Sequence, residues 1–556
     1  MPKTTARHSN RYGENVSEPI AHGRWEVRRL LAPNPLWGSN GIAFGPDGLL
    51  YAAQYLAGQI SAVDPATGET EVVVPMDSVV RSPDDLAFGA DGSMYIADLV
   101  PGKVWRRSPS GVYSLVCDQV KLPNGITCVR DRLFVNEMKM DGRLLELLPD
   151  GGFRVLAEGL AMGNAMQLGP DDQLYYPHMM TGEVWRVPPD GGTSELVAED
   201  VHEPVAVRFD QAGVMLVLSR GQAGIVTRID LHRTGSRSLT TSGLAGLDNA
   251  AFDAENRMFV SSYANGGITQ LDPDGRTRRV VRCGLDGPYG VTIDLAGTVH
   301  AADHYRIADP HSEAAGFDDR PAHVLRPFSH GIAADGRLLH LTSQYGEVRT
   351  YDPDPDRGAT RVRARGLRQP MGVCVRSDGE LVVAETGAGR VIGIDADGSV
   401  SVLADGFDHP VDVALDARGR CYVSDDQLGA VLRIDNGCPV IVADGLDAPQ
   451  GLAVLDDDLF TVETGSRRLL AVSLETGDRS VAAENLAVGR PPGVVPRDQP
   501  ALFAHGMPGM PLPFAGLSAA ADGSLVLSAN GEGTVLRLSP RRSRCDVHGA
   551  KRSIDP

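Results

Sequence analysis

The chain has 556 residues, a formal net charge of −19 at pH 7 and 42% hydrophobic residues. The negative charge argues against a nucleic-acid partner, because contacts with phosphates favour Lys and Arg. No apolar run reaches the length of about 18 residues that a membrane span needs, and we expect no signal segment at the start. The seven cysteines are scattered without a CxxC pair, so we expect a reduced, cytoplasmic protein.

One short phrase returns twelve times, about every 40 residues. A small turn is followed by an apolar strand, an Asp-Gly or similar turn, and a second apolar strand. Each copy is named here by its marker, the residue before the Gly or its equivalent. The markers of repeats 1 to 12 are Asn40, Asp84, Asn124, Asn164, Val205, Asp248, Tyr289, His330, Met371, Val411, Gln450 and Ala515. This period and these paired strands are typical of propeller blades.

The pattern predicts an all-β fold of two tandem six-bladed β-propellers, built from twelve four-stranded blades. In repeat 9, alternating apolar residues predict strands over 371–375, 380–384, 389–394 and 399–404. The predicted division is an N-terminal tail at 1–23, a first propeller at 24–274, a second at 275–540 and a C-terminal tail at 541–556.

Residues 24–31 resemble an outer, fourth strand with no blade before it. If this strand completes repeat 6, residues 276–283 are released to complete repeat 12, which otherwise lacks a fourth strand. Each ring would then close without an open sheet edge. The alternative is that residues 24–31 cross directly to repeat 12.

The markers of one ring should crowd around one mouth of its channel, together with the residue about 14 positions later that ends the second strand. In the first ring, carboxylates and amides meet there, as a hard cation such as Ca²⁺ prefers. The predicted metal ligands are Asn124, Asn164, Asp248 and Asp84. The structural alternative is that Asn and Asp before a strand only form turns.

The second mouth combines an imidazole, a phenol and carboxylates, which can supply a base and an acid. The predicted catalytic residues are His330, Glu385, Asp303, Tyr289 and Glu463. The structural alternative is that carboxylates such as Glu385 and Glu463 brace neighbouring turns, with Arg390 and Arg467 as charge partners.

Two insertions break the period, at 304–322 after the second strand of repeat 7 and at 486–513 before repeat 12. Both fall on the marker face, and long loops of this kind are often lids or binding loops, with disorder as the alternative. We expect a lid over the second mouth. The predicted substrate contacts are His304, Tyr305, Gln450, Met371 and His505.

The repeats resemble the six-bladed propellers of the senescence marker protein and gluconolactonase group, strictosidine-synthase-like proteins and NHL-repeat proteins. Residues 381–395, with Ala-Glu-Thr-Gly-Ala-Gly-Arg-Val at their centre, are especially similar to the gluconolactonase and NHL style. The resemblance implies a divalent metal held by a first-blade Glu and by later Asn and Asp residues. Asn124 matches the Asn, Asp248 corresponds to the Asp, and Asn40 stands where the family has Glu.

A partial resemblance to streptogramin lyases, seven-bladed propellers that open an ester with His, Glu and Mg²⁺, rests on Ser329-His330-Gly331. The second-strand partner of His330 is Ser343 rather than Glu, and Glu385 lies on the next blade.

We therefore expect an enzyme that hydrolyses a lactone or ester of a small molecule with the help of Ca²⁺, Mg²⁺ or Zn²⁺. In this hypothesis His330 is the base, carboxylates bind metal or orient it, and Tyr289 donates to a developing oxyanion. The alternatives are a lyase, isomerase or cyclase that uses the same His and carboxylates, and a non-enzymatic NHL-like scaffold.

Overall fold

The computed structural model describes Arg11 and residues 18–232, 236–311, 325–353, 360–489 and 514–541. Within these residues the protein is almost entirely β-structure, with 47 strands in eleven antiparallel sheets, and the helical residues are the 3-10 helix Thr386–Ala388 and the pair Pro310 and His311. The all-β class is therefore confirmed. None of the helical structure in the described chain is long and apolar enough to cross a membrane.

Two strands precede the first repeat, β1 (Ile20–Ala21) and β2 (Trp25–Arg29). Repeats 1 to 6, here called the first set, each form one four-stranded sheet. In chain order, strands β3 to β26 are Ile42–Phe44, Leu50–Gln54, Gln59–Val63, Thr70–Val74, Pro83–Phe88, Met94–Asp98, Lys103–Arg107, Tyr113–Cys117, Pro123–Val129, Arg132–Glu137, Gly142–Leu147, Phe153–Leu160, Gln167–Leu168, Leu174–His178, Glu183–Val187, Glu195–Ala198, Pro204–Phe209, Met215–Ser219, Ile225–Asp230, Ser236–Thr241, Leu247–Phe252, Met258–Ser262, Ile268–Leu271 and Thr277–Val281.

Repeats 7 to 12, here called the second set, contain strands β27 to β47. In chain order these strands are Val291–Ile293, Val299–Ala308, Leu325–Asp335, Leu338–Ser343, Glu347–Tyr351, Thr360–Ala364, Pro370–Val375, Leu381–Glu385, Arg390–Ile394, Val400–Asp405, Pro410–Leu415, Cys421–Asp425, Ala430–Asp435, Cys438–Ala443, Pro449–Leu455, Asp458–Glu463, Arg468–Ser473, Arg479–Glu484, Leu517–Ala519, Leu525–Ala529 and Thr534–Pro540. The four strands of repeat 9 lie within one residue of their predicted bounds.

The tight turns between strands explain why glycine recurs at fixed positions in the repeats. In repeat 9 the Arg376 N–H donates to the Glu380 carbonyl, and Gly379 between them has φ 87°. Glycine adopts this left-handed conformation without the steric cost that a Cβ brings. The second strand then returns antiparallel, so Pro370 pairs with Glu385 at the marker end of the sheet, as expected.

The predicted completion of repeat 6 by residues 24–31 was wrong, and the alternative, in which these residues cross to repeat 12, is the observed arrangement. Strand β2 pairs with β47 in repeat 12, while Thr277–Val281 stays in the sheet of repeat 6. The local hairpin β25–β26 needs only the turn at Asp272, whereas the predicted exchange would need two long connections. The buried Trp25 ring, packed edge-on against Phe460 at 5.6 Å, holds β2 in place. Residues 24–31 therefore belong with the second set, and not with the first set as the predicted division had it.

Repeats 7 and 8 share one six-stranded sheet, β27 to β32. Repeat 7 lacks its usual third strand, as expected, because β28 continues to Ala308 and pairs with the first half of β29. The second half of β29 pairs with β30 and is the inner strand of repeat 8. At the other end of the second set, β1 adds a fifth strand to the sheet of repeat 11.

The inner strands of each set follow one another side by side, and the last lies beside the first. In the first set, the Ser261 hydroxyl of repeat 6 donates to the Asn40 carbonyl of repeat 1. In the second set, the Gly516 N–H of repeat 12 donates to the Tyr289 carbonyl of repeat 7 at 3.1 Å. The inner strands of repeats 7 to 12 all line one cavity of about 290 Å³.

Candidate functional site

The first set brings four marker side chains together at the marker end of its inner strands. Asp84 is hydrogen-bonded to Asn124, and the charge of Asp84 acts on Asp248. Asn124 and Asn164 both direct their amide nitrogens at the Met138 sulfur, at 3.1 and 3.9 Å, so they are neighbours as well. All four predicted metal ligands thus lie in one buried group, named here the acid–amide cluster.

Backbone bonds between neighbouring inner strands position this cluster. The Gly41 N–H donates to the Asp84 carbonyl at 2.7 Å, and the Asp85 carboxyl accepts the Ile126 N–H at 3.0 Å. A Cβ on Gly41 would lie 2.2 Å from a carboxyl oxygen of Asp85, so only glycine fits at this point. Asp85 therefore joins three successive sheets, while Asp84 beside it faces the cluster.

Burial raises the pKa values of the three acids in and beside the cluster. Burial and, to a smaller extent, the charge of Asp85 raise the pKa of Asp84 to about 7, although a hydrogen bond with Asn124 acts in the opposite direction. Burial raises the pKa of Asp85 to about 6, and burial together with the charges of Asp84 and Asp85 holds that of Asp248 well above its usual range. Ionising any of these carboxyls costs free energy, because the buried charge is not hydrated.

One half-buried cation, Arg208, lies beside these acids. It donates to the Ala250 and Met166 carbonyls at 2.7 and 3.0 Å and to the Asn249 side chain. Its charge acts on Asp85 and Asp248. Three acids therefore stand against one guanidinium, and burial favours the protonated forms of Asp84 and Asp248 as long as no further cation is present. Among the described residues, no hydrogen bond reaches the Asp248 carboxyl, although the residue is only 8% exposed.

The donor set fits a hard divalent cation. Two carboxylates and the amide oxygens of Asn124 and Asn164 are ligands of the kind that Ca²⁺ and Mg²⁺ prefer. The amide oxygens accept the Gly125 and Ala165 N–H groups at 2.6 and 2.7 Å, so each would hold a cation through its second lone pair. Within the described chain no three His, Cys, Asp or Glu side chains form a metal-holding group, so such a cation would depend on these amides.

A roof of aromatic and thioether side chains covers the cluster. Tyr55, Met138 and Met179 are buried there, and the Tyr55 hydroxyl has no hydrogen-bond partner in the described part of the chain. Burial and the charge of Asp84 raise the pKa of Tyr55. Tyr305, which comes from the second set, lies in the same group of contacts. The described start of the first insertion therefore faces the first set, and residues 312–324 lie outside the described residues.

The second set places its predicted residues differently. His330 is buried, stands edge-on to Tyr289 with ring centroids 5.3 Å apart, and its Nε2 lies 3.0 Å from Gln344 Nε2. Burial lowers the pKa of His330 to about 4, so the imidazole is neutral at physiological pH. Tyr289 packs with Met371 and other buried apolar side chains at this mouth.

The three predicted catalytic carboxylates share one bonding pattern. Each accepts a backbone N–H from the loop before its own sheet and pairs with an Arg. The loop donors to Asp303, Glu385 and Glu463 are Gly287, Arg368 and Asp447, at 2.7, 2.8 and 2.9 Å, and the cations are Arg306, Arg390 and Arg468. Arg390 is the expected partner of Glu385, but the partner of Glu463 is Arg468, not Arg467. This geometry is the turn-bracing alternative that the sequence left open.

The remaining predicted contacts are spread over the second set. Gln450 accepts the Ala515 N–H at 3.0 Å and donates to Asp426 at 3.4 Å. His304 lies in β28, and its side chain and all of His505 lie outside the described residues. The sequence reasoning missed Asp85 and Arg208. Asp85 is the acid directly after a marker, where a Gly stands in several other repeats, and that contrast was the available signal.

Comparison with known proteins gives one sequence relative. No protein-family model matches the chain. It is 28% identical over 241 residues to the gluconolactonase of Zymomonas mobilis subsp. mobilis strain ATCC 31821, covering 43% of this chain and 52% of that protein. The chain thus spans about half the length of the curated relative that it matches.

Solved structures with similar chains include the following two. Streptogramin B lyase is 18% identical with a TM-score of 0.38, covering 51% of this chain and 96% of that one. The calcium-binding protein regucalcin of Agrobacterium tumefaciens strain C58 is 18% identical with a TM-score of 0.35, covering 42% and 85%. Together with the four-stranded sheets, the sequence relative makes this chain similar to gluconolactonase-like proteins of the propeller type.

Proposed function

We propose that the first and second sets each close into a six-bladed propeller and that the first holds the active site. This arrangement is supported by the inner strands, because the inner strand of repeat 6 lies beside that of repeat 1 and the inner strand of repeat 12 lies beside that of repeat 7. The proposal moves the site from the second mouth, where Arg and backbone groups already bond the carboxylates, to the acid–amide cluster.

We propose that the protein hydrolyses a lactone or ester of a small molecule at a divalent cation in this cluster. The observation that carries the proposal is the excess of buried acids, Asp84, Asp85 and Asp248 beside the single cation Arg208, with an Asp248 carboxyl that no hydrogen bond reaches in the described chain. A divalent cation bound there would favour the ionised forms of these acids. The all-oxygen donor set favours Ca²⁺ or Mg²⁺ over Zn²⁺, which usually takes nitrogen or sulfur ligands.

In this proposal Asp248, Asn124 and Asn164 hold the cation, which when bound would polarise the ester carbonyl. Asp84 is the base. Without a cation its pKa is about 7, and a bound cation would lower that pKa, so that the carboxylate is ionised near neutral pH and can take a proton from water at an oxygen atom. The hydrogen bond with Asn124 orients this carboxyl, and the apolar roof keeps bulk water away.

The test combines cation binding with turnover. Wild type, Asp248→Asn and the control Asp412→Asn are melted with Ca²⁺, Mg²⁺, Zn²⁺ and chelator, and δ-lactone opening is followed with a pH indicator. Asp412 is a buried acid of the second set whose carboxyl accepts the Leu452 and Val413 N–H groups. Ca²⁺ or Mg²⁺ should stabilise wild type and the control but not Asp248→Asn. Equal melting of all three with and without cations would overturn the proposal.

A second candidate is acid–base chemistry at His330, because its imidazole stands edge-on to the Tyr289 phenol with ring centroids 5.3 Å apart. In this candidate substrate binding raises the pKa of His330 from about 4 towards neutral pH. His330→Gln should then abolish turnover while leaving cation stabilisation unchanged. Under the first proposal, Asp84→Asn abolishes turnover and His330→Gln does not.

A further inference from the structure

Strand β28 carries one side chain of the second set into the first. The strand runs five residues past Asp303, where the second strand of a repeat normally ends. Tyr305 on this extension is 7% exposed and packs in the same group as Tyr55 and Trp37 of the first set. Its ring stands edge-on to Tyr263, with centroids 4.8 Å apart.

Tyr305 also lies within electrostatic reach of the acid–amide cluster. Burial raises its pKa well above the usual range, and the charges of Asp84 and Asp248 contribute to the increase. The same two acids act on the neighbouring phenols, Asp84 on Tyr55 and Asp248 on Tyr263. The three tyrosines therefore form one wall over the carboxyls, and the second set supplies one of them.

The second set holds Tyr305 firmly. The next residue, Arg306, is 3% exposed, bonds to the Asp303 carboxyl at 3.1 Å and donates to the Gly284 carbonyl at 2.6 Å. The residue before it, His304, pairs with Ser329 of β29. Tyr305 is therefore fixed on both sides by residues of the second set while its ring packs against side chains of the first.

We propose that Tyr305 completes the first-set site from the second set, closing its mouth and limiting the size of substrate that enters. This inference rests on the proposed function for its substrate, a lactone or ester. It also makes the two sets one functional unit, because the site of one lacks a wall without the other.

The test compares Tyr305→Ala and Tyr305→Phe with Tyr113→Ala, a control on an outer strand of the first set. Turnover is measured on δ-valerolactone, δ-octalactone and δ-dodecalactone. We expect Tyr305→Ala to raise KM for the smallest lactone about tenfold with a smaller change in kcat, and to improve kcat/KM for the largest. Tyr305→Phe should keep the wild-type size preference. Unchanged KM and preference in Tyr305→Ala would overturn the inference.

A readout without substrate separates this inference from the proposed function. Trp37 is 7% exposed in the same group, so Tyr305→Ala should increase acrylamide quenching of its fluorescence, taken as the difference from matched Trp37→Phe variants. Tyr113→Ala should not. Increased quenching without any lactone turnover would refute the proposed function and retain the closing role. Unchanged quenching would refute the closing role whatever the turnover.

Discussion

Replacing Asp84 by Asn tests the charge of the acid–amide cluster, because the change removes an acid and keeps its shape. Burial raises the pKa of Asp84 from 3.8 to about 7 in the folded chain. Between about pH 4 and 7 the folded chain therefore keeps a proton that the unfolded chain has released. The stability that this proton contributes is complete below about pH 4 and is lost progressively as the pH rises from about 4 to 7. Above pH 7 the stability does not change further on its account.

The size of the effect follows from the shift. Each pKa unit corresponds to about 1.4 kcal/mol, so a shift of about three units costs roughly 4 kcal/mol at pH 8 without divalent cations. For a domain of about 250 residues this is roughly 10 °C in melting temperature. Removing the charge of Asp84 also lowers the pKa of Asp248, and this further increases the stability of the variant relative to wild type at pH 8.

The assay is thermal melting in chelator between pH 5 and 8.5, with Asp77→Asn, an exposed acid, as the control. About two of the three units are lost between pH 5 and pH 8, so the melting temperature of Asp84→Asn should exceed that of wild type by about 7 °C more at pH 8 than at pH 5. The control should follow wild type throughout. Parallel curves for Asp84→Asn and wild type would refute the buried-charge reasoning.

Three further outcomes follow from the same contacts. Trp25→Ala should cost about 3–5 kcal/mol in urea unfolding of the second set, because it removes the ring that packs β2 against Phe460. Arg208→Met should destabilise the first set by about 3–5 kcal/mol at pH 8, and adding Asp85→Asn should recover part of the loss. By NMR titration, His330 should stay neutral down to about pH 5, since burial lowers its pKa to about 4.

The repeats made much of the fold predictable. Each one carries its own turn glycines and alternating apolar residues, so strand bounds such as Leu381–Glu385 depend on local sequence. The choice of partner for β2 does not depend on local sequence, because Trp25 and Phe460 meet only after about 430 residues of intervening chain have folded. Closure therefore had two solutions in the sequence, and tertiary packing decided between them.

The candidate site was predictable where the marker register applied. Asn124 and Asp248 open equivalent inner strands, and the structure brings both to one end of the first set. Arg208 lies three residues after its marker, at a position where the other repeats carry small or uncharged side chains, so no shared pattern indicated its charge. The position of Tyr305 depends on how one set lies against the other, which no single repeat encodes.

The chain path explains how a residue of one set can serve the other. Strands β1 and β2 belong to the second set, so the first set is inserted between β2 and β27. The chain thus crosses between the sets twice, and the crossings lie together: the Asn34 side chain donates to the Leu285 carbonyl at 3.2 Å, and its N–H to the Glu532 carbonyl at 2.9 Å. Two adjacent connections resist rotation of one set against the other better than a single linker does. The position of Tyr305 over the cluster therefore depends on β2 completing repeat 12, although Trp25 is far from Tyr305 in sequence.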